Sequence, residues 1–218
     1  MAEALVRLVT EFVVSLALLL LSAGTMRYWE AWVLRVLHLL GGTLVWRYLF
    51  TSDPKLAARR MQKKEKDLKQ SVIRKVGVVC TLPALVVPGL DRRFGWSHVP
   101  VIAVLIADGI VLLTFVWFIL VVRENNHASR VIEVEVDQRV VRTGPYAIVR
   151  HPMYLGSLVF YLFAPVALGS WWAAMTVLPL AAVLAARIWN EERLLNQELA
   201  GYREYSQLVK YRLIPWVW

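Results

Sequence analysis

The sequence predicts an all-α protein: a polytopic integral membrane bundle of five to six transmembrane helices, ending in a helical hairpin. Three observations carry that reading. The 218 residues are 58% hydrophobic with a mean hydropathy of +0.52, above an ordinary soluble domain. Their apolar residues fall in runs near 5–24, 28–50, 72–90, 99–122, 153–169 and 171–190, and a helix needs ~20 residues to cross the hydrocarbon. The runs lack the alternation of barrel strands, and backbone in lipid must satisfy its own hydrogen bonds, so helices are expected.

The first run resembles a signal peptide in Leu18 to Leu21 followed by Ser22-Ala23-Gly24, but its charged start is weak and further spans follow. It reads as an uncleaved anchor. After the second run, Asp53-Pro54 has the form of an N-cap with proline at the first helical position, opening a short basic surface helix within the connection 51–71. Cys80, the single cysteine, lies in an apolar run and reads as a small core residue. Asp108 and His38 lie at similar depths in the fourth and second runs, where they are expected to make a structural polar contact between spans. The last two runs are short and separated by Gly169-Ser170, which predicts a tight hairpin that need not cross as two full spans.

The net charge of +9 is a matter of topology and not of nucleic-acid binding. Lys and Arg crowd the connection after the second run, the connection after the fourth, and the carboxy-terminal tail, while the opposite connections carry mainly Arg27, Arg92 and Arg93. With alternating spans, the positive-inside rule puts the basic regions and both termini in the cytoplasm. Tyr28, Trp29, Trp32, Trp96, Trp171 and Trp172 are expected to form the opposite interfacial belt. The chain divides into an amino-terminal bundle, 1–122, and a carboxy-terminal region, 123–218.

The polar connector between the fourth and fifth runs holds most of the functional signal. Glu133, Glu135 and Asp137 alternate with Val134 and Val136, which suits a short extended segment ending near Gln138. Then comes RVVRTGPYAIVRHPMYLG, residues 139–156, with a Gly-Pro turn and an Arg-His-Pro step just before an apolar run. The hairpin returns as RIWNEERLL, and the tail GYREYSQLVKYRLIP follows. Folding the hairpin brings 139–156 and 187–212 together at one membrane surface. Tyr202, Tyr205 and Tyr211 in the tail are expected as interfacial anchors.

These three blocks, in this order and spacing, resemble the isoprenylcysteine carboxyl methyltransferase family and the wider set of membrane methyltransferases that includes phospholipid N-methyltransferases. The resemblance covers roughly residues 125–216. It implies a helical membrane bundle that binds S-adenosylmethionine at its cytoplasmic face. It places cofactor contacts on Glu133 (where many relatives have Gln), Gln138, Arg139, Val140, Val141 and Tyr146, then on His151, Pro152, Met153, Tyr154 and Glu191. Arg187 matches the position that holds the substrate carboxylate, and Arg212 is a second candidate anion contact.

The residue types suit that cofactor on physical grounds. Tyr146 and Tyr154 offer π faces to a sulfonium or an adenine. His151 can hydrogen-bond a ribose or carboxylate, and Glu191 can pair with an ammonium or ribose hydroxyls. Arg187 and Glu191, at i and i+4, project from one face of a helix. No Gly-rich nucleotide loop is present, which argues against a Rossmann domain, and His98 and His127 have no ligand-spaced partners, so no metal is expected. The expected activity is carboxyl O-methylation of a lipophilic, isoprenoid-like small molecule or a lipidated substrate, in contact with membrane lipid. Competing readings are N-methylation of a phospholipid headgroup, a nicotinamide-dependent reductase of the sterol-reductase kind, and a non-catalytic membrane scaffold.

Overall fold

A computed structural model describes residues 1–61, 68–125 and 138–218, and every element among them is helical. Four long helices come first: α1 (Ala2–Ala23), α2 (Trp29–Ser52), α4 (Leu68–Phe94) and α5 (Val101–Glu124), with the short α3 (Pro54–Met61) after α2. A 3-10 turn at Gly144–Ala147 leads into α6 (Pro152–Ala167), followed by the single turn α7 (Trp171–Ala174), α8 (Val177–Glu198) and α9 (Tyr202–Leu208). The long helices close into a ring, in which α1 touches α2, α2 touches α5, α5 touches α6, α6 touches α8, α8 touches α4, and α4 returns to α1.

Five of these stretches are long and apolar enough to cross a membrane: α1, α2, residues 71–94, α5, and the continuous stretch Trp171–Glu198. The helices are apolar on their outward faces as well as their inward ones. Val6, Val13 and Leu21 on α1 and Ile102, Ile106 and Leu113 on α5 are all exposed, the pattern of a helix with lipid for solvent. The chain is an integral membrane protein. The final hairpin is unequal, since α6 has only 16 residues, or ~24 Å at 1.5 Å per residue, whereas the stretch Trp171–Glu198 is long and apolar enough to cross.

Lipid tails are as apolar as leucine, so close approach and polar contacts hold such helices together. A Cβ on Gly156 would stand 2.8 Å from the Trp117 ring, so glycine lets α6 lie directly on α5. The predicted Asp53 cap is present: its Oδ1 accepts from the Leu56 amide at 2.8 Å, and Leu56 and Ala57 anchor α3 by complete burial.

At the end of the bundle where α4 finishes, polar groups tie the connections shut. Asp91 accepts from the amide and hydroxyl of Ser97, both at 2.6 Å, and from the Ser170 hydroxyl. Tyr28 departs from the expected belt. It is fully buried, and its hydroxyl donates to the Leu168 carbonyl at 2.6 Å. The tryptophans at this end are exposed as expected. The expected pairing of Asp108 with His38 does not form. His38 Nε2 lies 3.3 Å from Glu11 Oε1, with its ring edge-on to Phe115 and Phe160. The Asp108 carboxylate is buried without a hydrogen-bond partner. Similar depth on two helices does not fix rotation about their axes.

Candidate functional site

The turn before α6 sets the geometry of the other end. Gly144 adopts φ 56°, a left-handed conformation that glycine takes freely, and Thr143 beside it donates to Glu124 at the end of α5 at 2.8 Å. Pro152 opens α6 and His151 is its N-cap residue. Pro152 also accepts through its carbonyl from the Trp117 indole at 2.7 Å. The amides of Arg150 and His151 donate to the carbonyls of Tyr211 and Arg212 at 2.9 and 3.0 Å. Two main-chain bonds thus fasten the tail to the start of α6, bringing together the separated segments that the sequence predicted would meet.

The pair Glu191-Glu192 on α8 divides its work, because adjacent helix positions point ~100° apart. Glu191 faces a cavity: its Oε2 accepts from Tyr154 at 2.6 Å, and the Tyr154 hydroxyl in turn accepts from Arg187 Nε at 2.8 Å. Arg187, Tyr154 and Glu191 therefore form one chain of hydrogen bonds. The Tyr154 ring stacks on His151 with centroids 5.7 Å apart.

Glu192 faces the turn and the tail, and it is buried. Its Oε2 accepts from Arg212 Nε at 2.9 Å, and its Oε1 lies 3.3 Å from His151 Nε2. Arg150 Nε stands 3.1 Å from the same oxygen, close enough to pair in charge but without the alignment of a hydrogen bond. With Nε2 turned to Glu192, the other ring nitrogen of His151 faces Glu191 at 4.0 Å. Glu192 is thus the hub that positions the Arg-His-Pro step, a role that its sequence context, beside Glu191, gave no means to separate.

The cavity between these elements has a volume of about 530 Å³, within the usual range for a small-molecule site. Its wall includes Gln138, Arg139, Val140 and Val141 ahead of the turn and Tyr146 within it. From α6 it includes His151, Pro152, Met153 and Tyr154, and from α8 Arg187 and Glu191. Glu133, with the predicted extended segment before Gln138, lies outside the described residues. Arg212 is not part of the cavity wall: its guanidinium is turned to Glu192 and stands over the Trp218 ring, 5.5 Å from the centroid.

Other lining residues were not expected at the site from the sequence. Asn125 donates to the Tyr146 hydroxyl at 3.0 Å. Burial pushes the Tyr146 phenol up to about 12, reinforced by Glu191 and opposed by the Asn125 hydrogen bond and Arg60, so it stays neutral near pH 7. Tyr202 and Tyr205 are buried in the same wall and not spread at the interface. Tyr205 donates to the Tyr146 carbonyl at 2.8 Å, and burial raises both phenols. Arg60 of α3 and Arg74 of α4 also reach the cavity, and Val78, Leu180 and Leu184 line an apolar arm.

Residues 102–200, from α5 to the end of α8, match the family described as phospholipid methyltransferase. The match indicates a membrane methyltransferase. It covers just under half of the chain, and it includes the turn, the Arg-His-Pro step and the Glu191-Glu192 pair, while the tail and α1 to α4 lie outside it. No curated protein matches the chain. The methyl donor that the family implies is S-adenosylmethionine, and the cavity's donor set fits it. A carboxylate and neutral phenols suit its ammonium and ribose hydroxyls, and Val140, Val141 and Leu199 offer apolar surface to its base.

Proposed function

We propose that the protein is an S-adenosylmethionine-dependent methyltransferase acting on a carboxylate oxygen of a lipophilic acceptor, in the manner of isoprenylcysteine carboxyl methyltransferases. The observation that carries the proposal is the hydrogen-bonded chain Arg187–Tyr154–Glu191 on the wall of one cavity that is polar at one end and apolar at the other. Glu191, Tyr146, His151 and Gln138 would hold the cofactor, which when bound supplies an electrophilic methyl group. Arg187 would orient the acceptor carboxylate, in keeping with the planar fork of a guanidinium. A carboxylate is already ionised near neutral pH, so the reaction needs no general base. The residues' task is alignment, which is worth up to ~7–11 kcal/mol in favourable intramolecular cases. The basic residues at this end of the bundle support a cytoplasmic placement by the positive-inside rule.

The family match favours a second reading, in which a phospholipid amine accepts the methyl. A base-labile methyl ester as product supports the first and a stable methylamine the second. The primary test is titration calorimetry of the purified protein with S-adenosylhomocysteine. The wild type binds, and Glu191→Ala weakens binding by about 10- to 100-fold, corresponding to the ~1.5–3 kcal/mol of a charge-assisted hydrogen bond. His151→Ala weakens it by less. No heat with the wild type overturns the methyltransferase reading.

A further inference from the structure

Among the described lining residues, the cavity carries five arginines (Arg60, Arg74, Arg139, Arg150 and Arg187) against the single carboxylate of Glu191. Arg150 is turned toward Glu192, behind the wall. The proposed cofactor has a sulfonium, an ammonium and one carboxylate, so it adds a further net positive charge. An anionic group on the acceptor would meet favourable charge in such a site.

The packing of α4 on α8 indicates where. Gly77 of α4 approaches α8 so closely that a Cβ would stand 3.4 Å from Val183 Cγ1. The two helices run in opposite directions. Arg74 lies three residues from Gly77 toward the site, and Arg187 lies four residues from Val183 toward the site. At 1.5 Å per residue these offsets are ~4.5 and ~6 Å, so the two arginines stand at nearly one depth. Val78, Leu180 and Leu184 line the cavity on the bilayer side of that level, and Tyr154 and Glu191 line it near Arg187. Arg187 Nε is directed to Tyr154, whereas Arg74 Nε is buried without a hydrogen-bond partner, an arrangement that calls for an acceptor atom from outside the chain.

We propose that Arg74 and Arg187 form a two-armed subsite for one anionic group, a carboxylate or a phosphodiester, on the head of a lipid whose tail lies along Val78, Leu180 and Leu184. The inference rests on the methyltransferase reading for its purpose but not for its test. Arg74 lies outside the stretch that matches the phospholipid methyltransferase family, so this chain supplies the second arm from its own amino-terminal helices. Arg74 is a residue of acceptor specificity, separate from the cofactor contacts.

Binding to the full-length protein in a neutral detergent tests the subsite without turnover. The probes are a C15 isoprenoid carboxylic acid, the corresponding alcohol, phosphatidylethanolamine, and S-adenosylhomocysteine. Arg74→Gln should weaken the acid or the phospholipid at least tenfold, leaving the alcohol and S-adenosylhomocysteine within twofold of wild type. A loss confined to the acid assigns the subsite to a carboxylate, and a loss confined to the phospholipid assigns it to a phosphodiester. Arg74→Lys should recover part of the affinity, because it keeps the charge and loses the fork. In the Arg74→Gln, Arg187→Gln double variant the second change should cost less than it does alone, as two arms on one group require. Wild-type affinity of Arg74→Gln for both the acid and the phospholipid, with S-adenosylhomocysteine still bound, overturns the subsite. Failure of the wild type to bind S-adenosylhomocysteine overturns the methyltransferase reading instead, and the anion result stands independently.

Discussion

The two ends of the bundle each hold a buried acidic residue surrounded by donors, yet they do different things with it. At one end Asp91 takes three hydrogen bonds from Ser97 and Ser170, and none of these residues lines the cavity that holds Glu191. At the other, Glu192 gathers Arg150, His151 and Arg212, and its immediate neighbour Glu191 looks into the cavity. A carboxylate surrounded by neutral hydroxyls and an amide is a fastener. A carboxylate surrounded by positively charged side chains is a frame, because the same groups border a space where a ligand can compete for them. Lipid supplies no water to satisfy stray polar groups, so both clusters draw their partners from within the chain. Only the second borders a cavity whose wall carries charged side chains.

Substitutions that separate stability from binding test this contrast. Glu192→Ala should have the largest effect, since it leaves cationic groups buried without their partner. Losing one member of a buried ion pair costs about 3–5 kcal/mol, and thermal unfolding in detergent should fall together with S-adenosylhomocysteine affinity. A Glu192→Ala variant with wild-type ligand affinity would break the comparison. Asp91→Ala comes next, with a loss of about 2–3 kcal/mol from orphaned buried donors. Here the folded fraction should bind S-adenosylhomocysteine as the wild type does. Tyr28→Phe is the mildest, removing one hydrogen bond to the Leu168 carbonyl at a cost of about 1 kcal/mol, seen as a small drop in the unfolding midpoint and no change in binding.

Much of the frame was legible in the residues. Continuous apolar runs forecast the spans, because period and length are local properties. Gly144-Pro145 and the His151-Pro152 step forecast the turn and the start of α6 for the same reason. Quantities that depend on rotation or on docking were not legible. The run 72–90 gave no sign that Arg74 turns inward, since one basic residue at a helix start reads equally well as a surface charge. Glu191 and Glu192 are chemically identical neighbours, and only the packed helix decides which meets the cavity. Tyr202 and Tyr205 read as interfacial anchors because their burial comes from α9 folding back on the turn, a contact between residues 59 apart that no local pattern encodes. Tyr28 departed from the belt likewise, through a bond to a carbonyl 140 residues away.

The pairing of residues 150–151 with 211–212 has a consequence of its own. It runs through peptide groups, so it makes almost no demand on which amino acid occupies position 211. Substitutions at position 211 can therefore leave the Arg-His-Pro step in its place. Arg212 differs, because its side chain as well as its carbonyl is engaged.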